Sequence, residues 1–106
     1  MSYEILVGLQ VIDDAKYAEY RAAMKPILAD YQGHFVYDFR VSEVLKTEQQ
    51  DSPEQRKINR VFTINFSSEA HMEDFFADAS YLKVKQQHFV DSVASTTIIS
   101  AYQKAD

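Results

Sequence analysis

The stretch Arg60-Val61-Phe62-Thr63-Ile64-Asn65-Phe66-Ser67-Ser68 decides the fold. Phe62, Ile64 and Phe66 alternate with Val61, Thr63 and Asn65, and a period of two marks a strand with two unlike faces. The alternation stops at Ser67-Ser68. Either serine can cap a helix, because its hydroxyl accepts a free N–H of the first turn. Met72, Phe75, Phe76 and Ala79 follow at helical spacing. Asp78-Ala79-Ser80 is expected to interrupt that helix before a shorter helical piece from Tyr81 to about Phe89. The β-branched run Thr96-Thr97-Ile98-Ile99 then predicts a last strand over 95–103.

Working outward, the first half of the chain has the same plan. Tyr3, Ile5, Val7, Leu9 and Val11 recur every second residue and predict a strand. Asp13 or Asp14 can cap the helix whose stripe is Tyr17, Tyr20, Met24, Ile27, Leu28 and Tyr31. Pro26 lies inside that stripe and removes a backbone donor, so a kink is expected near Ala22. Gly33 stands where a left-handed C-terminal cap is expected. Phe35, Tyr37, Phe39 and Val41 alternate in a second strand predicted over 34–45. Residues 46–57 hold no large apolar side chain before Ile58 and include Pro53, which suits a solvated hairpin connection. The order is βαββαβ, an α+β pattern with a four-stranded antiparallel sheet, read as a single domain over residues 1–106.

Composition narrows the function classes. Seven Phe and seven Tyr supply core material, and only two Gly and two Pro argue against a loop-rich chain. The absence of cysteine excludes disulfides, thiolate nucleophiles and Cys-based metal sites. The first residues, Met-Ser-Tyr-Glu-Ile-Leu-Val, lack a basic leader region. No apolar run approaches the roughly 18 residues that span a bilayer, so a cytoplasmic protein with no membrane partner is expected. The net charge of -5 leaves only a short basic patch at Lys83, Lys85 and His88. Nucleic acid is therefore not an expected partner, since phosphate contacts dominate that affinity. Neither Gly8 nor Gly33 belongs to a glycine-rich phosphate loop, and no cofactor is expected.

Two helices cover one face of a four-stranded sheet. The other face is expected to carry Leu6, Val36, Val44 and Val61, too apolar for a fully wet surface, and a second copy stacked sheet to sheet would cover it. Tyr17-x-x-Tyr20, Pro26, Tyr31-x-Gly33-x-Phe35, Arg60-Val61-x-x-Ile64-x-Phe66 and Phe76-x-Asp78-x-x-Tyr81 together resemble the dimeric α/β-barrel superfamily of ferredoxin-like folds. Within it the chain is most similar to the family called domain of unknown function 1330. The resemblance covers nearly the whole chain. It implies a ferredoxin-like homodimer and offers no catalytic residue to carry over. Gln32-Gly33 stands where the family often has two glycines, and both the second connection and the tail after Tyr81 are longer here.

Candidate site residues follow from the expected topology. If the first and third strands run parallel, Gln10 and Asn65 fall near the same end, Asp38 comes opposite Asn65, and Thr97 begins nearby. Gln10, Asp38, Arg40, Asn65 and Thr97 then form one polar cluster on the dimer-facing side, either orienting a ligand or satisfying one another. His34 and His88 are the acid/base candidates, because imidazole titrates near neutrality. His34 and Asp38 are spaced to share a strand face, but two ligands do not make a metal site, and no metal is expected. His71-x-x-Asp74 reads as a solvated helix face and the tyrosine stripe as core. Two readings stay open: a small-metabolite binder with cofactor-free proton-transfer, cyclisation or monooxygenation chemistry, as the superfamily resemblance implies, or a non-catalytic binding or interaction module.

Overall fold

The computed structural model describes residues 1–47 and 57–105. The chain runs β1 (Ser2–Val11), α1 (Asp14–Asp30), β2 (Gly33–Arg40), β3 (Arg60–Phe66), α2 (Glu69–Ala77), α3 (Ala79–Val84), a π-helical turn (Lys85–Phe89) and β4 (Val93–Lys104). The strands form one antiparallel sheet in the order β2-β3-β1-β4. Ile5, Val7 and Leu9 of β1 and Phe62, Ile64 and Phe66 of β3 are buried beneath Tyr17, Tyr20, Met24, Leu28, Phe75 and Tyr81 from the helices. This is the ferredoxin-like α+β arrangement expected from the alternation.

Local chemistry fixes the helix starts. Asp13 accepts the Lys16 N–H at 3.0 Å, and Ser68 accepts the His71 N–H at 3.2 Å. Asp78 interrupts the second helical region as expected: it ends α2 and caps α3 by accepting the Tyr81 N–H at 2.9 Å. α1 runs through Pro26 without a break, with the ring exposed to solvent. A missing donor on a wet face leaves the Ala22 carbonyl free to bond water. β2 ends at Arg40 instead of reaching Leu45, although the Val41 N–H still meets the Asn59 carbonyl at 2.8 Å. Most of the expected hairpin connection, 48–56, lies outside the described residues.

Three expectations about direction and conformation are corrected. First, β1 and β3 are antiparallel, with Leu9 opposite Arg60 and Tyr3 opposite Phe66. The α1 crossover leaves β2 parallel to β1 with one strand's width between them, and the reversal after β2 fills that gap with β3. Second, the pairing of β2 with β3 shifts between Phe35 and Tyr37, so Val36 is an extra residue. A bulge of one residue inverts the side-chain alternation beyond it. Asp38 therefore pairs with core-facing Phe62, whereas His34 pairs with Asn65 on the opposite face, and the two do not share a face. Third, the left-handed residue after α1 is Gln32, with φ of 57°, and Gly33 has no positive φ.

Gly33 is needed for space. A Cβ there would lie 2.5 Å from Leu28 Cδ1 and 2.9 Å from Phe66 Cε1, both in the packed core. Gly33→Ala is expected to lower stability by about 1–3 kcal/mol through overpacking, whereas Gln32→Gly removes the left-handed strain and is expected to be neutral or stabilising. Urea unfolding of both variants checks this. Equal losses at the two positions would refute the assignment of space to one and backbone strain to the other.

Candidate functional site

Between the sheet and the helices lies a cavity of about 210 Å³. Met24, Phe35, Phe62, Tyr20 and Tyr81 line it, and the exposed members of its wall, Phe76, Lys85, Thr96 and Ile98, mark its mouth. Phe76, expected in the core, is 37% exposed, because α2 presents Phe75 inward and leaves Phe76 at this rim. Its ring still meets Tyr81 edge-on, with centroids 5.6 Å apart.

The polar feature of the cavity is one pair of hydroxyls. Tyr20 Oη and Tyr81 Oη are 2.9 Å apart and buried, joining α1 to α3. Burial pushes the Tyr20 hydroxyl far above its ordinary value, and the neighbouring Tyr81 pushes it further. Burial likewise pushes Tyr81 up. Tyr17 is pushed up to about 12, mainly by burial, with the charge of Asp38 adding to it. All three hydroxyls therefore stay protonated at neutral pH and act as hydrogen-bond donors, not as bases.

A second hollow, a cleft of about 500 Å³, lies beside the N-terminal half of α1 and shares Tyr17 with the cavity wall. The bulge in β2 builds it by turning Asp38 and Arg40 toward α1. Asp38 Oδ2 lies 2.5 Å from Arg21 Nη1 and 3.6 Å from Arg60 Nη1, so one carboxylate ties α1 to β3. The Arg21 guanidinium sits 4.5 Å from the Phe35 ring centroid and that of Arg60 lies 5.1 Å from Tyr17's. Such stacking holds a guanidinium in place while leaving its edge free to donate. Asp14 approaches Arg60 at 3.9 Å and Arg40 at 4.0 Å.

The five residues expected in one cluster occupy three places. Asp38 and Arg40 line the cleft on the helix side. Gln10, opposite Ser95, and Thr97, opposite Gly8, share one end of the outer face. Asn65 lies at the other end, opposite Glu4 and His34, because β3 is antiparallel to β1. His34 is exposed; His88 lies in the π-helical turn with Nδ1 3.6 Å from Glu19 Oε2. His71 Nδ1 is within 2.9 Å of Ser67 and Ser68 Oγ, which places it in the cap of α2. Among the described residues no three His, Cys, Asp or Glu side chains are grouped to hold a metal ion, and no helix is long and apolar enough to cross a membrane.

Sequence reasoning missed Arg21, Arg60 and the Tyr20–Tyr81 pair, whose partners are distant in the chain. It also passed over Glu4, although a carboxylate between Tyr3 and Ile5 in an apolar strand is a visible anomaly. Glu4 is 3% exposed. Its Oε1 accepts from Asn65 Nδ2 at 3.2 Å and Lys104 Nζ at 3.3 Å, while Oε2 accepts from Tyr102 Oη. Burial pushes the carboxyl up, but these donors together outweigh it and hold Glu4 below its ordinary value. Asn65 also donates to Ser2 Oγ at 2.9 Å.

The fold defines a small ferredoxin-like α+β protein. The chain belongs to the family described as domain of unknown function 1330, whose profile matches residues 2–102. Among solved structures, a protein of unknown function from Rhodopseudomonas palustris is similar at 16% identity and a TM-score of 0.78, covering 99% of this chain and 83% of the other. A candidate antibiotic biosynthesis monooxygenase from Bordetella bronchiseptica follows at 13% identity and 0.63, covering 98% and 97%. A dimeric ferredoxin-like protein of unknown function from Jannaschia sp. CCS1 aligns at 10% identity and 0.57, covering 98% and 100%. Comparison with curated protein sequences gave no match. At these identities the structures share the fold alone.

Removing either hydroxyl of the tyrosine pair strands the other. Tyr20→Phe and Tyr81→Phe are each expected to cost about 1–3 kcal/mol, and the double variant clearly less than their sum. A double-mutant cycle by urea unfolding measures this, and strict additivity would count against the pair. For Glu4, the depressed folded value means that its stabilisation is present above the ordinary carboxyl value and is lost as pH falls through the folded one. The stability gap between the native chain and Glu4→Gln should therefore narrow from neutral pH to about pH 3, a trend that a pH series of unfolding curves would deny if the gap stayed constant.

Proposed function

We propose that this protein binds a small, partly apolar molecule in the aromatic cavity between sheet and helices, and that it does so as a cytosolic homodimer. The carrying observation is the cavity: aromatic walls around one protonated hydroxyl pair, open at a rim of Phe76, Lys85, Thr96 and Ile98. Apolar walls supply affinity and a few fixed polar groups supply orientation. One hydroxyl donates to the other, which leaves one O–H of the pair to steady a carbonyl or phenol oxygen.

The dimer rests on the outer face. Val61, Val44 and Ile99 line a groove of about 560 Å³ there, and Tyr37 and Phe39 stand exposed beside one another with ring centroids 5.6 Å apart. An apolar face of this kind favours a stacked second copy, and the Jannaschia protein of the same fold is dimeric. Lack of cysteine suits the reducing cytosol. Turnover of the bound molecule by cofactor-free oxidation, cyclisation or proton transfer is the second reading. It draws on the fold shared with the Bordetella protein. Hydroxyls that stay protonated favour binding over base catalysis.

Native mass spectrometry of the protein isolated from its own cells is expected to show a dimer carrying a small-molecule mass. Thr96→Trp, which narrows the mouth, should lose that mass and keep the dimer. A monomer overturns the assembly. A dimer without added mass, whose Tyr81 and Phe89 NMR signals also fail to move on titration with 2-naphthol, overturns the binding reading.

A further inference from the structure

We infer that the arginine cleft beside α1 is a second binding site, separate from the aromatic cavity, and that it takes a small monocarboxylate with a short apolar body. The charge pattern comes first. Arg21, Lys25, Arg40 and Arg60 line the cleft against Asp14 and Asp38, an excess of two positive charges. The whole chain carries -5. A local potential of opposite sign to the protein's own draws anions to this place and to few others.

The cations are also prepared for a ligand. Arg60 is 11% exposed and held against Tyr17, and Arg21 is held against Phe35. The cost of ordering those side chains is met by the fold and not by the ligand. Their present partners leave capacity unused. Asp38 meets both arginines through Oδ2 alone, and each guanidinium has five N–H donors, so N–H groups remain for an anion. Asp14 stands 3.9 and 4.0 Å from Arg60 and Arg40, beyond hydrogen-bond length, so an incoming carboxylate can displace it and engage both guanidiniums.

The remaining wall selects the rest of the molecule. Ala18 and Ala22 offer a small apolar floor that an aryl or short alkyl group would cover. A carboxylate matches the guanidinium fork, and an attached apolar body covers the alanine floor as inorganic phosphate cannot. The Tyr17 ring stands in the wall of both hollows and divides this site from the cavity.

The test is an NMR titration of the full chain with benzoate, with benzamide as its uncharged counterpart and inorganic phosphate as the simple anion. Benzoate should shift the Arg21, Ala22 and Arg60 signals saturably, with Tyr81 and Phe89 unmoved, and benzamide should not. The side chains of Arg40 and Asp14 are 77% and 66% exposed, so neither is needed for folding. Arg40→Gln should weaken benzoate binding about threefold or more, and Asp14→Asn should tighten it by a similar factor. Equal shifts with benzamide, phosphate binding as tight as benzoate, or indifference to both substitutions would each overturn the proposal. A null result in the aromatic cavity would leave it standing.

Discussion

One extra residue in β2 sets the character of the helix-facing surface. Without the bulge at Val36, strict alternation would turn Phe39 toward α1 and send Asp38 and Arg40 to the outer face. With it, the Asp38 carboxylate reaches Arg21 and Arg60 and ties α1 to β3. The two arginines depend on that anion, since guanidiniums left half-buried without a counter-charge destabilise more than the pair contributes. Bulge, carboxylate and arginines thus form one unit, and the shape of the cleft follows from it.

The far end of α1 is held in a different way. There Leu28 closes on Gly33 and Phe66 at distances that only a residue without Cβ permits. α1 is therefore fastened electrostatically at its middle, through Arg21, and by close packing near its finish. Tyr20 and Met24, on the sheet-facing side of the same helix, line the cavity. The Tyr20–Tyr81 hydroxyl bond links α1 to α3.

Much of this was legible in the sequence. Element types, their order, the caps at Asp13 and Ser68 and the break at Asp78 all depend on residues close together in the chain, where periodicity and short polar side chains speak directly. What failed depended on position across the sheet. The alternation of β2 looks the same with or without an extra residue at Val36, so the faces of Asp38 and Arg40 were assigned wrongly. The direction of β3 moved Asn65 a full strand length from Gln10. Gly33 was identified as special for a conformational reason, when the reason is the approach of Leu28 and Phe66. Arg21 and Arg60 carried no signal, because an arginine on a helix or at a strand start is ordinary until its partner is known.

The two sheltered carboxylates of the sheet show where unspent chemistry lies. Glu4 uses both oxygens on Asn65, Lys104 and Tyr102, a closed arrangement whose value is that it allows a charge on an apolar outer face. Asp38 uses one oxygen on two arginines and leaves the other without a partner among the described residues, next to an Arg21 Nε in the same condition. A network kept only for stability tends toward the first pattern, since every unmet buried donor or acceptor costs free energy. The second pattern leaves that cost unmet in the wall of the cleft beside α1. The sheet thus carries a closed polar arrangement on its outer face and an incompletely satisfied one on its helix side.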